Sequence, residues 1–261
     1  MSSLDLSLPR FSWRWIAVWR RNFLVWKKLA AESIFGNIVD PLFYMLGMGF
    51  GLGTMLPEVN GVTYIAFLAG GTVCYSTMFA ASFEALYSGF ARMHVQRTWD
   101  GILNAPIVLD DVVLAEWIWA ASKSLLSGVA ILLVVLALGL AQNWLAIFIL
   151  PLAFLIGLTF AGMGFIMTAM ARSYDFFTFW FTIVLTPMVL LSGVFYPVGN
   201  MHPILQAVSS ALPLTHAIEL GRPLLLGQVP ENILLHVGVM LAYGGIGFYI
   251  ALVLFRRRLL K

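Results

Sequence analysis

Residues 112–140 read VVLAEWIWAASKSLLSGVAILLVVLALGL, and after the polar step Gln142–Asn143 residues 144–171 read WLAIFILPLAFLIGLTFAGMGFIMTAMA. A bilayer core of about 30 Å takes roughly 20 apolar residues as a helix, because each residue rises only about 1.5 Å. Both runs pass that ruler, and the step between them, with Trp144 as an interface anchor, makes them two spans rather than one. They are continuous and rich in Leu, Ala and Gly, without the period-2 alternation of a barrel strand, so helices are the spanning form.

Working outward with the same ruler adds Ile34–Leu56 and Val62–Phe83 before this pair, and Phe176–Tyr196 and Ile233–Phe255 after it. The expectation is an all-α membrane protein with six spans. Composition agrees: 61% of the 261 residues are hydrophobic, 10% are charged, and mean hydropathy is +0.93. Soluble domains carry about 45–50% apolar and about 25% charged residues, so this chain has too few polar side chains to cover itself in water. Cys74 is the single cysteine and excludes an internal disulfide. Residues 1–33 lack the short apolar core and cleavage site of a secretory signal. With no repeat or linker, residues 1–261 read as one domain.

Charge placement gives the orientation. Arg10, Arg14, Arg20, Arg21, Lys27 and Lys28 precede the first span, and Arg92 and Arg97 follow the second. Arg172 lies between the fourth and fifth, and Arg256, Arg257, Arg258 and Lys261 close the chain, while the opposite face holds Arg222 alone. By the positive-inside rule both termini are cytoplasmic. These are topogenic flanks, so the net charge of +3 does not point to nucleic acid.

Residues 10–29 have helical periodicity, with Phe11, Trp15, Trp19, Phe23 and Trp26 on one side and Arg10, Arg14, Arg21 and Lys28 on the other. That fits a helix lying in the headgroup plane; a plain topogenic flank fits as well. The loop at 92–111 is polar yet keeps Trp99, Ile102 and Leu103. A short helix ending before Pro106 suits it, because the residue before proline leaves the α region. A docking element for a partner and a mere connector both remain open on these residues.

Ionisable groups within spans mark an ion path or a structural pair. Candidates are Asp40, Glu84, Glu116 and Lys123, and Glu116 and Lys123, seven apart, share a helix face. Phe176, Phe177, Phe179, Trp180 and Phe181, with Tyr174 and Tyr196, suit either sugar stacking in a conduit or an interface belt. The four histidines are scattered, no H-E-x-x-H occurs, and Cys74 has no evident base, so neither a metal site nor an enzyme is expected. No G-x-x-x-x-G-K-[ST] phosphate loop occurs, so ATP-driven transport would need another chain.

The segment Gln96-Arg-Thr-Trp-Asp-Gly-Ile-Leu-Asn-Ala-Pro106 resembles the signature loop of type-2 ABC exporter membrane subunits. Leu191-Ser-Gly-Val-Phe-Tyr-Pro197 and Leu212-Pro-Leu-Thr-His-Ala-Ile-Glu-Leu-Gly-Arg-Pro-Leu-Leu-Leu-Gly227 agree, and together they look most like the nodulation-protein-J branch. Gly101 and Gly221 depart from the family pattern. The resemblance implies an amphipathic N-terminal helix, six spans in a bacterial inner membrane, and re-entrant half-helices within 197–230. The five prolines of that stretch and its short apolar runs support the last feature separately. It further implies a coupling element comprising Arg97, Thr98, Trp99, Asp100, Ile102, Leu103 and Pro106. Function would be export of an amphiphile such as a lipo-oligosaccharide or glycoconjugate, by a homodimer with two copies of a partner ATPase that binds the ATP and magnesium. Glu84, Glu116 and Lys123 are then candidates for gating or an ion pair, and Phe176, Phe177, Trp180 and Tyr196 for the substrate path. An ion-coupled carrier and a membrane scaffold are the alternative classes. Trp99 and Arg97 are the expected contact anchors.

Overall fold

Apolar length becomes helix along most of the chain. The computed structural model describes residues 5–56, 58–59, 61–141 and 143–260, without the side chains of Asn37 and Asp40; the expectation for Asp40 therefore lies outside the described residues. The helices are α1 (Trp15–Lys27), α2 (Ala30–Gly51), α3 (Tyr64–Val95), α4 (Thr98–Leu103) and α5 (Leu109–Ala137). After them come α6 (Trp144–Met170), α7 (Phe176–Leu191), α8 (Pro203–Ser209), α9 (Pro213–Leu225) and α10 (Ile233–Leu259). Between α2 and α3, β1 (Glu58–Val59) and β2 (Val62–Thr63) form a small antiparallel hairpin.

Among these, α3, α5, α6 and α10 are long and apolar enough to cross a membrane, so the chain is a multi-pass membrane protein. The other two expected spans differ. Helix α2 has the length, at 22 residues, but carries Glu32, Asn37, Asp40 and Pro41. Helix α7 ends at Leu191 instead of Tyr196, where Gly193 takes φ 80°. The step between the third and fourth spans is real: α5 stops before Gly139 at φ 69°, a conformation that glycine reaches at little cost. The Asn143 side chain then caps the first turn of α6 by accepting from the Leu145 N–H at 3.1 Å.

Helix α3 sits at the centre, against α2, α5, α6 and α9, while α6 packs on α5 and α10. The last contact is backbone on backbone. A Cβ on Gly162 would lie 2.4 Å from the Gly244 carbonyl oxygen, and one on Gly247 would meet the backbone of Gly162 and Met163 at 2.8 Å. Small residues permit such approach where lipid supplies no hydrophobic drive between helices. Away from these seams, Leu234, Leu241 and Ile246 of α10 are exposed apolar side chains, as a lipid-facing surface requires.

At one end of the bundle the N-terminal segment, α4, the start of α5 and the end of α10 converge. Residues 10–14 are not helical, contrary to the expected start of the interfacial helix at 10. They strap onto α5: Asp110 accepts from the Arg10 N–H at 2.8 Å, and Asp111 accepts from the Ser12 N–H at 2.7 Å. Part of the aromatic face of α1 packs on α5. Trp19, Phe23 and Trp26 surround Trp119 of α5 with ring centroids 6.2–6.4 Å away, and the Trp19 indole donates to Ser122 at 3.1 Å.

Candidate functional site

Near that end the second span runs on past its expected limit at Phe83 to Val95. The extension contains two π-helical stretches, Glu84–Ser88 and Ala91–Val95; wide turns of this kind recur at functional sites. They put Glu84 and Arg92 on the side facing α5. The Arg92 guanidinium bridges two acids, with Nη1 at 2.8 Å from Glu84 Oε1 and Nε at 3.0 Å from both oxygens of Glu116. Lys123 Nζ reaches Glu84 Oε2 at 3.2 Å. Two indoles complete the shell: Trp119 donates to Glu84 at 2.8 Å and Trp99 to Glu116 at 3.2 Å.

The result is a chain of alternating charge, Glu116–Arg92–Glu84–Lys123, with two acids and two bases. The acids' side chains are 0% and 3% exposed. The sequence-based pairing of Glu116 with Lys123 is thus corrected: each has a different partner, because α3 brings Arg92 between them. By its place in the sequence Arg92 is a flanking topogenic charge at the start of the loop. Its one available signal was the apolar continuation Phe90, Met93 and Val95, which carries the helix past it.

The expected coupling element does contain a helix, α4, entered through Arg97 at φ 49°. Its residues divide by exposure. Trp99 is fully buried, its ring 5.1 Å from that of Phe255, and Ile102 and Leu103 pack partly against the core. As a direct contact anchor Trp99 is therefore ruled out; it fastens α4 to α10 and to Glu116 instead. Arg97, Asp100 and Pro106 are exposed and Thr98 is half-buried, with Asn104 also exposed. The outcome is a short polar ledge on a rigid mount. Below it, Arg256 donates to Asp110 at 2.9 Å, and Arg14 donates to the Pro106 carbonyl, so the ledge is tied to both ends of the chain.

At the far end, α8 and α9 lie between α7 and α10. Prolines 203 and 213 open the two helices, where a missing N–H costs nothing. Arg222, the isolated opposite-face cation, is turned inward. It donates to the carbonyls of Phe67 at 3.2 Å and Gly193 at 2.6 Å, and lies 3.7 Å above the Phe67 ring. His216 and His236 join α9 to α10 through their Nδ1 atoms, 2.8 Å apart.

The four path aromatics are not brought together. Phe177 is fully buried among Tyr87, Phe90 and Tyr174. Trp180 is buried beside α6 and α10, Phe176 is half-buried against Phe179, and Tyr196 is 42% exposed on the loop after α7. Among the described residues no cluster of three or more His, Cys, Asp or Glu could hold a metal ion.

Known proteins share this arrangement of sequence. A family model described as ABC-2 type transporter matches residues 14–226. The chain is 46% identical to nodulation protein J of Rhizobium meliloti (strain 1021) over 254 residues, 97% of each chain. It is 45% identical to nodulation protein J of Rhizobium leguminosarum bv. viciae over 256 residues, 98% of each. To the inner membrane transport permease YadH of Escherichia coli (strain K12) it is 21% identical over 232 residues, 88% of this chain and 90% of that one.

Proposed function

This chain belongs to the ABC-2 type transporter family, and on that premise we propose that two copies form the translocation path of an ATP-driven exporter for an amphiphile such as a lipo-oligosaccharide. A membrane subunit of an ABC transporter works with an ATPase partner; in this reading two copies of that separate subunit bind and hydrolyse the ATP. The observation that carries the proposal is the 45–46% identity, over nearly the whole length of both chains, with proteins called nodulation protein J. Helices α2 and α7 complete six spans in a bacterial inner membrane with both termini cytoplasmic, and α8 and α9 form the re-entrant outer segment.

Coupling then runs through α4. The exposed Arg97 and Asp100 meet the ATPase, while Thr98, Ile102, Leu103 and Pro106 shape the ledge and Trp99 transmits force to α10 and Glu116. Every acid and base in the Glu116–Arg92–Glu84–Lys123 chain has a partner within 3.2 Å, which suits a clamp between α3 and α5 better than a proton relay. Of the four candidate path aromatics, Phe176 and Tyr196 are the two left accessible to a substrate. The test is the composition of the complex: tagged chain extracted in mild detergent should carry an ATP-hydrolysing subunit, two plus two by native mass. An active one-plus-one complex, or transport driven by an ion gradient without ATP, overturns the reading.

A further inference from the structure

Between α1 and the start of α2 lies a cavity of about 550 Å³ reaching to α3 and α5. Its inner wall includes Glu84, Arg92 and Lys123, which with Glu116 balance one another in charge. Two charges on the outer walls are left over. Arg21 of α1 has one hydrogen bond among the described residues, from Nη1 to Asn22 Oδ1 at 3.1 Å, and no carboxylate partner there. Glu32, exposed in the first turn of α2, has neither an ion pair nor a side-chain hydrogen bond among the described residues. Burial pulls the Arg21 guanidinium below its usual range; Glu116 opposes that shift and Arg92 adds to it.

Beside Arg21, two donors on cavity-lining residues are also unsatisfied. Asn22, 2% exposed, has Nδ2 without a partner, and the Trp26 indole N–H is buried without one. Leaving a buried donor without an acceptor is costly, so the two together favour an acceptor from outside the chain. Val25, Leu29 and Trp119 supply apolar wall on the side of the bundle where α1 lies. A cation with two neutral donors suits a phosphate, since guanidinium presents a planar fork to its oxygens. A carboxylate across the cavity suits an ammonium joined to that phosphate, and the apolar wall suits acyl chain.

We propose that this cavity holds the headgroup of a zwitterionic amino-phospholipid such as phosphatidylethanolamine, with its phosphate at Arg21, Asn22 and Trp26 and its ammonium at Glu32. The lipid would mortise α1 to α2 and to the charge chain behind them, whatever the transporter exports. The site therefore stands or falls apart from the export reading.

Full-length protein, delipidated in detergent, is titrated with dioleoyl-phosphatidylethanolamine or dioleoyl-phosphatidylglycerol, and bound lipid is counted by native mass spectrometry. One phosphatidylethanolamine per chain is expected, held more tightly than phosphatidylglycerol. Arg21→Gln should weaken it about tenfold or more, the loss of one charged hydrogen bond at about 1.4 kcal/mol per decade. Arg20→Gln, which removes the same charge from the exposed side of α1, should leave binding unchanged, and Glu32→Gln should erase the preference between the lipids. If Arg21→Gln fails to fold by gel filtration, Trp26→Phe and Glu32→Gln decide the matter. No retained lipid, equal binding of the two lipids by the unmodified protein, or equal loss in Arg20→Gln and Arg21→Gln would each overturn the proposal.

Discussion

Replacing Arg92 by Met tests whether the buried charge chain is a clamp. Methionine keeps the apolar stem of the side chain, though not its full reach, while removing the one guanidinium that Glu116 contacts among the described residues. Breaking a buried ion pair from one side costs about 3–5 kcal/mol, because the remaining charge is left desolvated and uncompensated. Arg92 serves two acids, yet the loss should not double. Glu84 keeps Lys123 at 3.2 Å and the Trp119 indole at 2.8 Å, whereas among the described residues Glu116 keeps only the Trp99 indole at 3.2 Å. The cost should therefore sit on Glu116. Glu116→Gln in the Arg92→Met background removes that charge and should recover about 2 kcal/mol or more. Glu84→Gln in the same background should recover less, since it strands Lys123. Equilibrium unfolding in mixed micelles, followed by tryptophan fluorescence, measures all four proteins, and Trp99 and Trp119 sit at the two acids. The reasoning fails if Arg92→Met lies within about 0.5 kcal/mol of the unmodified protein, the range of an ordinary surface change. It also fails if Glu84→Gln rescues better than Glu116→Gln.

Trp99→Ala should act on folding first: emptying a fully buried indole site costs about 3–5 kcal/mol, seen as a lowered midpoint in the same unfolding assay, and Trp99→Phe should lose less. Reversing the ledge charges, Arg97→Glu or Asp100→Lys, should leave the midpoint within about 0.5 kcal/mol but weaken ATPase association, read by co-purification and by stimulated ATP hydrolysis. Gly162→Ala should cost about 1–3 kcal/mol by forcing α6 from α10, while Gly36→Ala, with nothing within 4 Å of its added Cβ, serves as the neutral control.

Membrane residence and the four long helices were legible because hydropathy sums over a local window of about 20 residues. The break between α5 and α6 and the helix before Pro106 were legible for the same reason, since capping and proline sterics act within a few residues. The motif from Gln96 to Pro106 was enough to point to the family. What the window could not contain is contact between windows. Arg92 looked like a flank because its two acids lie on either side of it, one eight residues back and one 24 ahead, and only the register of α3 against α5 decides that it serves both. Trp99 looked like a docking knob because an aromatic in a polar loop reads the same whether it faces a partner or Phe255, 156 residues later. Cavity formation between α1 and α2 is likewise a product of packing. A sequence states which side chains must leave water or enter lipid; which of them meet is settled by how whole helices lie against one another, and that geometry exists only in the folded chain.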